Sequence, residues 1–245
     1  YLEPLKLRLP TEAKYVVQND TVFIFDIKSD KIHCVNFEQI RTTNVKTMMI
    51  DFAAGLGMFG QLVTATKSGD ITLWKYPHFK PNLLFSLSIE SISAIEINRQ
   101  YGIMVCCTND GYMRTYSVAK KEILNIVHIG CIAEKILVTA NMGFIIIYSP
   151  GYLYLFTINC FLIKKCPIEF DIYQWCTFRD NNGFDYVCCA DPIGYIYTFE
   201  AYYLDKIFQI AACHERIISL FYGDEVHAIV AHAATSKVYF ISYEI

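Results

Sequence analysis

Short apolar runs, each closed by turn residues, follow one another along the whole chain. The run 103–108 ends at the turn 109–111, for example, and the run 112–118 follows it. Runs this short between turn residues predict β-strands, and no stretch keeps the 3.6-residue period of an amphipathic helix over a useful length. The pattern therefore predicts an all-β protein.

A short phrase recurs along the chain: a turn residue, then a large apolar residue five positions later. Successive turn positions differ by 49, 42, 40, 43 and 42 residues, and each period holds about four strand-like runs. This period is typical of a β-propeller blade, which is a sheet of four antiparallel strands. The six pairs that define it are Asp20/Phe25, Gly69/Trp74, Gly111/Tyr116, Gly151/Phe156, Gly194/Phe199 and Ser236/Ile241.

We therefore predict a single domain, or a fragment of one, with six blades of four antiparallel strands. The last period supplies only three strands, and a ring leaves an exposed edge unless a fourth is found. Two alternatives stay open: the N-terminal run 5–9 closes the ring, or the chain belongs to a larger ring, such as a seven-bladed one, within a longer polypeptide. The approximate blades are 1–44, 45–90, 91–131, 132–171, 172–213 and 214–245.

The uncharged segment 136–163 exceeds the ~20 residues that a transmembrane helix needs. The turn tripeptide Ser149-Pro150-Gly151 lies in its middle, between the runs 144–148 and 152–158. A turn between two short β-like runs predicts a hairpin of buried strands, and we expect no membrane span.

Composition narrows the classes of ligand. The net charge of −3 gives no electrostatic footprint for a nucleic acid, so we expect none. The ten cysteines include the adjacent pairs Cys106-Cys107 and Cys188-Cys189, and strand alternation predicts that one thiol of each pair is buried. The cysteines lack the short spacings of zinc sites, and no signal peptide opens the chain. We expect reduced thiols, no metal and a cytoplasmic location.

The period and the phrase ending in Trp74 resemble WD40 repeats over essentially the whole chain. Lys75 stands where a WD40 repeat has Asp, and Cys213-His214 before the run to Leu220 is the clearest relic of the opening Gly-His. This resemblance implies a propeller. Segments 63–78, 91–100 and 191–202 are similar to the C-terminal WD40 region of BEACH-domain proteins, of the beige and neurobeachin type. That likeness implies upstream PH-like and BEACH domains in the same polypeptide, a role in vesicle trafficking, and peripheral membrane contact only through those neighbours.

No motif in the sequence predicts catalysis or a cofactor. The repeated glycines open no helix and fit no phosphate-binding loop, so tight turns explain them. Trp74, Tyr116, Phe156 and Phe199 occupy one place in successive periods, which predicts packing between blades. We expect no enzyme, no cofactor, and no catalytic or metal-binding residue.

The remaining candidate is a protein-binding face, because a propeller presents loops from every blade on one side. If WD40 geometry holds, connections between blades and turns within blades share this face. Acids outnumber bases among them, which suits a partner with a basic surface. The candidate residues are Glu90, Asp110, Asp171, Asp191, Glu215 and Arg216.

The prediction is thus a non-catalytic interaction scaffold, with two alternatives. One is a WD40-like subunit of another cytosolic complex, such as a coat or tether. The other is a propeller enzyme with a site at its central channel. The runs predicted to lie nearest the axis, 93–97, 172–178 and 217–222, are mainly apolar, and Glu96 is their one clear charge, which makes it the residue to test.

Overall fold

The chain folds into six small antiparallel sheets. The computed structural model describes residues 13–18, 21–26, 31–35, 40–44, 52–56, 61–66, 68–75, 78, 80–86, 91–98, 100–223, 228–235 and 237–242. No helix occurs among these residues, so none there is long and apolar enough to span a membrane. In every sheet consecutive strands pair with each other, and we number the sheets blade 1 to blade 6.

The first three blades each have four strands. Blade 1 contains β1 (Ala13–Gln18), β2 (Thr21–Asp26), β3 (Lys31–Val35) and β4 (Ile40–Asn44). Blade 2 contains β5 (Phe52–Leu56), β6 (Gln61–Ala65), β7 (Asp70–Lys75) and β8 (Lys80–Ser86). Blade 3 contains β9 (Ile92–Asn98), β10 (Ile103–Thr108), β11 (Tyr112–Ser117) and β12 (Glu122–His128).

Two further blades have four strands, and the last has three. Blade 4 contains β13 (Lys135–Val138), β14 (Ile145–Ser149), β15 (Tyr152–Phe156) and β16 (Leu162–Pro167). Blade 5 contains β17 (Gln174–Arg179), β18 (Asp185–Ala190), β19 (Tyr195–Glu200) and β20 (Lys206–Ala211). Blade 6 contains β21 (Ile217–Gly223), β22 (Ala228–Ala233) and β23 (Val238–Ser242).

The blades follow one another around an axis lined by their first strands. β1 lies against β5, β5 against β9, β9 against β13, and β17 against β21. Among the described strands, β13 and β17 make no comparable contact, although blades 4 and 5 share a core. The predicted all-β propeller fold is confirmed.

The core lies between the blades, because the sheets of blades 2 to 5 each pack against a neighbouring blade on both faces. Tyr116 of blade 3 packs with Leu73 of blade 2, and Phe199 of blade 5 packs with Leu155 of blade 4. The four large residues predicted to fill these spaces are buried, each in a core shared with the preceding blade: Trp74, Tyr116, Phe156 and Phe199. Trp74 also donates a hydrogen bond from Nε1 to Thr64 Oγ1 at 2.8 Å, which satisfies its buried polar atom.

The same two-sided packing corrects the prediction for the cysteine pairs. All four thiols of Cys106, Cys107, Cys188 and Cys189 are buried, whereas alternation along a strand predicted one of each pair. Alternate side chains do point to opposite faces, but both faces of these central strands meet a neighbouring blade. Every cysteine is a free thiol.

The first period of the repeat was placed one strand too early. Phe25 lies on β2, the second strand of its blade, whereas Trp74 lies on the third strand of blade 2. Successive apolar runs of blade 1 are similar in character, so the sequence does not distinguish the second strand from the third. β2 pairs with both β1 and β3, which makes it the second strand. Asp20 and Ser236 lie outside the described residues.

The uncharged segment forms the predicted hairpin. β14 pairs with β15 from Ile145↔Phe156 to Ser149↔Tyr152. Gly151 closes the turn between them with a φ of 82°, a conformation that glycine adopts without steric cost. The segment is therefore two buried strands of blade 4.

Polar contacts tie adjacent blades together at the face opposite the second-to-third-strand turns. Asp185 of blade 5 is buried, and its Oδ2 accepts hydrogen bonds from the backbone N–H groups of Asn141 and Met142 in blade 4, both at 3.0 Å. Between blades 3 and 4, Asn98 Nδ2 donates to Thr139 O at 3.0 Å. Buried polar groups require such partners, so these bonds fix the angle between blades.

Blade 6 keeps one face and one edge uncovered within the described part of the chain. Phe240 and Val238 on β23 are 64% and 50% exposed, whereas the equivalent Thr198 and Ile196 of blade 5 are fully buried. No described strand pairs with the outer edge of β23. The run 5–9, proposed to close the ring, lies outside the described residues.

The turn glycines predict a graded response to alanine. Gly194 has a φ of 98°, and a Cβ there would lie 2.4 Å from Cys213 O, whereas a Cβ on Gly151 meets nothing within 4 Å. We expect Gly151→Ala to lower the free energy of unfolding by about 1 kcal/mol through its φ alone. Gly194→Ala should cost about 3 kcal/mol or more, because the backbone must also move. Urea unfolding of both variants measures this, and equal losses would contradict the close approach.

Candidate functional site

Backbone hydrogen bonds place the two predicted sets of loops on one face. The carbonyl of Gly111 accepts from Ile129 N at 2.8 Å, and that of Gly151 accepts from Ile168 N at 3.0 Å. Gly194 O accepts in the same way from Ala212 N at 3.1 Å. Each turn between a second and a third strand is thus bonded to the connection that leaves its blade. We call this the loop face; its described turns are 66–69 without Lys67, 109–111, 149–151, 191–194 and 234–237 without Ser236, and its connections are 129–134, 168–173 and 212–216.

Four of the predicted residues lie on the loop face with solvent-accessible side chains. Asp110 is exposed, and its carboxylate accepts a hydrogen bond from Thr108 Oγ1 at 2.5 Å. Asp171 is exposed and accepts from Tyr148 OH at 3.1 Å. Glu215 is half-buried and accepts from the hydroxyl of Thr235 at 2.6 Å. Arg216 is the fourth, and the predicted Glu90 lies outside the described residues.

Asp191 lies on the same face but has a different role. Its side chain is only 3% exposed, and its carboxylate accepts from Ile193 N at 3.0 Å, Tyr195 N at 2.8 Å and Tyr197 OH at 3.2 Å. Aspartate commonly bonds the backbone of the turn that it opens. Asp191 therefore holds the turn in shape, and we do not count it among the side chains that can meet a partner.

A cavity of about 420 Å³ opens on the loop face between blades 4 and 5. Its lining includes the predicted Asp171, together with Glu134, Tyr148 and Tyr173, which sequence reasoning did not single out. The guanidinium of Arg216 lies 3.7 Å from the centre of the Tyr173 ring. The sequence signal that could have identified Tyr173 is its position two residues after Asp171, in the same connection.

Burial keeps the Tyr148 hydroxyl in its neutral form. Loss of water raises the pKa of Tyr148 to about 12, and the neighbouring carboxylate of Asp171 contributes in the same direction. A neutral phenol donates its proton, so Tyr148 orients Asp171 at the edge of the cavity.

Glu96 lies on β9, the first strand of blade 3, and points to the same side as Ala94 and Val105, toward blade 4. Its side chain is partly buried, and its carboxylate accepts a hydrogen bond from Ile97 N at 2.9 Å. Burial raises the pKa of Glu96 to about 7, which that hydrogen bond partly opposes. A perturbed acid on an axial strand is a feature that catalytic sites and purely structural positions share.

Three other features of the described residues concern metal ligands, His214 and a second cavity. The described residues contain no group of three or more His, Cys, Asp or Glu side chains that could hold a metal ion. His214, which belongs to the relic of the opening Gly-His, is exposed on the connection before β21. A larger cavity of about 600 Å³ lies at the rim, beside the ion pair of Lys164 and Asp205 at 2.8 Å. Its lining charges are of both signs, so they favour no single class of ligand.

Comparison with known proteins supports the fold and leaves the family unassigned. No family model matches the chain, and no curated protein does. A chain in the crystal structure of a mitotic checkpoint complex superposes with a TM-score of 0.70 at 8% identity, over 94% of this chain and 73% of that one. The computationally designed Ika8 protein superposes with a TM-score of 0.62 at 13% identity, over 94% of this chain and 70% of the Ika8 chain.

At such identities the likeness shows the fold alone. The chain has a WD40-like β-propeller fold, the class of protein that the sheet order, the repeat and these neighbours define. A propeller hosts many functions, so the role of this one has to be argued from its surfaces.

Glu96 should make stability depend on pH. An acid whose pKa is raised by folding holds its proton more tightly in the folded state, so the free energy of unfolding falls as pH rises from 4.5 to about 7. We expect Glu96→Gln to remove this fall, which we put at about 2 kcal/mol, and to be the more stable protein at pH 8. Urea unfolding at pH 5 and pH 8 measures the difference. In the control Glu122→Gln, which removes an exposed acid, the dependence of the free energy of unfolding on pH should match that of the wild type. The same result for Glu96→Gln would show that Glu96 titrates normally.

Asp191 should matter for stability. Asp191→Ala leaves two backbone N–H groups and the Tyr197 hydroxyl without their acceptor, and we expect a loss of about 3 kcal/mol. The control is Asp205→Ala, which removes an exposed side chain from a surface ion pair. It should lower the free energy of unfolding by less than about 1 kcal/mol. Thermal unfolding compares the two, and a loss no larger for Asp191→Ala than for the control would contradict the assigned role.

Proposed function

We propose that this protein is a non-catalytic scaffold that binds a protein partner with a basic surface through its loop face. The observation that carries the proposal is the charge of that face. Its described turns and connections present the acids Asp110, Glu134, Glu169, Asp171 and Glu215, against the bases Arg216 and Lys237. An acidic platform attracts a basic partner and repels nucleic acids and anionic lipids.

The architecture suits this role. The loops of the face are fixed at both ends by strands whose faces are buried, and by the hydrogen bonds from Gly111, Gly151 and Gly194. A rigid platform loses little conformational freedom when a partner binds, which favours affinity. The large exposed side chains Ile132 and Ile193 lie on the same face and offer apolar contact beside the acids.

We further propose that the chain is the C-terminal propeller of a BEACH-type protein that acts in vesicle trafficking in the cytoplasm. The support is the sequence likeness of segments 63–78, 91–100 and 191–202, together with the propeller fold. The coding sequence upstream of Tyr1 tests it. A BEACH domain there would establish the family, and an unrelated domain would favour a subunit of a coat or tether.

Charge reversal on the loop face should abolish partner capture. We would immobilise the wild-type chain, the variant Asp171→Lys/Glu215→Lys, and a control variant Glu122→Lys/Asp205→Lys. The control makes the same change in net charge away from the loop face, at exposed acids of β12 and of the connection before β20. The measured quantity is the set of cytosolic proteins retained by each and identified by mass spectrometry.

We expect a set of proteins that wild type and control retain and the loop-face variant loses, with at least a roughly tenfold fall in yield, because each buried or half-buried charge pair of an interface contributes about 1 kcal/mol or more. Equal retention by all three forms would exclude the loop face. Equal loss in both variants would show a response to net charge alone.

A further inference from the structure

The cavity on the loop face lies where the axial wall opens. β13 and β17 are neighbours in the blade order, yet among the described strands they make no contact comparable to that of β9 with β13 or of β17 with β21. The cavity of about 420 Å³ lies at the loop-face end of this gap, beside the connection 168–173 that joins blade 4 to blade 5. Its volume suits a long side chain rather than a whole peptide.

Two kinds of group line this cavity. Glu134 and Asp171 supply carboxylates, and Tyr148 and Tyr173 supply aromatic rings, with Pro150 and Pro192 beside them. Tyr148 donates its hydroxyl proton to Asp171 at 3.1 Å, so this acid is held in place by a neutral neighbour. No base lies among the lining residues, but Lys135, which pairs across the strands with Tyr148, interacts electrostatically with the carboxylate of Glu134. Carboxylates together with ring faces are the groups that a cationic side chain prefers.

The chain itself shows that one of these rings accepts a cation. Arg216 lies over Tyr173, with its guanidinium carbon 3.7 Å from the ring centre, although Arg216 is not part of the lining. This contact orients the Tyr173 ring at the cavity wall. It also places a positive charge nearby, which should weaken the binding of a second cation.

We propose that this cavity receives a lysine or arginine side chain from the basic segment of the partner. The inference rests on the proposed function, since it names the contact by which the loop face recognises its partner. The anchoring side chain forms an ion pair with Asp171 and Glu134, and its apolar stem packs against the two tyrosine rings. Phosphate groups of lipids or nucleic acids are disfavoured by both carboxylates.

The probe is a fluorescein-labelled peptide of alternating lysine and serine, with a serine–norleucine peptide as its uncharged counterpart, titrated with the full chain by fluorescence anisotropy at 0.05 M and 0.15 M salt. The test variants are Asp171→Asn, Tyr173→Leu and Arg216→Gln. Asp110→Asn is the matched control, because it makes the same charge change on the same face but away from the cavity lining. Asparagine at 171 still offers an acceptor to Tyr148, and thermal unfolding shows whether each variant is folded.

We expect Asp171→Asn and Tyr173→Leu each to raise Kd for the lysine peptide about threefold to fivefold, and Tyr173→Phe, which keeps the ring, to leave it within about twofold of wild type. Arg216→Gln should lower Kd by about twofold, because it removes a like charge. Asp110→Asn should have the smaller effect of the two Asp→Asn changes.

Two results would overturn the inference. Equal effects of Asp171→Asn and Asp110→Asn, with Tyr173→Leu unchanged, would show that the peptide responds to the charge of the face and that the cavity is not used, and the proposed function would stand. Failure of the lysine peptide to bind better than the norleucine peptide would remove both the cavity contact and the basic nature of the partner. The protein capture experiment with the loop-face variant then decides separately whether the face binds any partner.

Discussion

The fold depends on one constraint, which is that a sheet with two buried faces, as in blades 2 to 5, must be covered by a neighbouring sheet on each side. No blade has a core of its own: the buried side chains of blade 3 are completed by Leu73 on one side and by residues of blade 4 on the other. Stability in such an array is a sum of contacts between neighbours. The apolar character of the chain, 54% of its residues, follows directly, because both faces of the inner strands have to be apolar.

The position of the loops follows from this packing. A turn such as 191–194 is held by the strands on either side, by the carbonyl of Gly194 and by the carboxylate of Asp191. The connection that leaves the blade is bonded to the same glycine, so a turn and a connection form one unit in blades 3, 4 and 5. Charge on these loops is therefore held in a fixed frame, which the proposed recognition of a basic partner requires.

Much of the propeller fold could be predicted from the sequence, because the repeat depends on local features of the chain. Positive φ at Gly69, Gly111, Gly151 and Gly194 is a demand of tight turns, and the residue five positions later must fill a space between blades, so both signals survive in these four of the six periods. The failures lie where the outcome depends on distant parts of the chain. The strand that carries Phe25 and the strand after it are alike in local sequence. Only the pairing of strands within the sheet shows which is second and which is third.

The candidate site was predicted less completely than the fold, for a related reason. Loop positions and the sign of their charge are local properties, so Asp110, Asp171, Glu215 and Arg216 could be found. A carboxylate can accept hydrogen bonds within its own turn, as Asp191 does, or line a cavity, as Glu134 does. Which of the two occurs depends on atoms from several loops. Tyr173 matters because Arg216, from the next connection, lies over its ring, and no spacing in the sequence encodes that contact.

Within the described part of the chain, blade 6 has one neighbouring blade, whereas blades 3 and 4 have two. In an array held together by neighbours, a unit with one neighbour is held less firmly than a unit with two, so blade 6, which displays Phe240 and Val238, should open more easily than blades 3 and 4. Amide hydrogens of β22 and β23 would then exchange with solvent earlier than those of β10 or β14, and the order of exchange would run inward from this end. No described strand pairs with the outer edge of β23, and an unpaired edge that carries an exposed aromatic side chain favours adhesion between separate molecules.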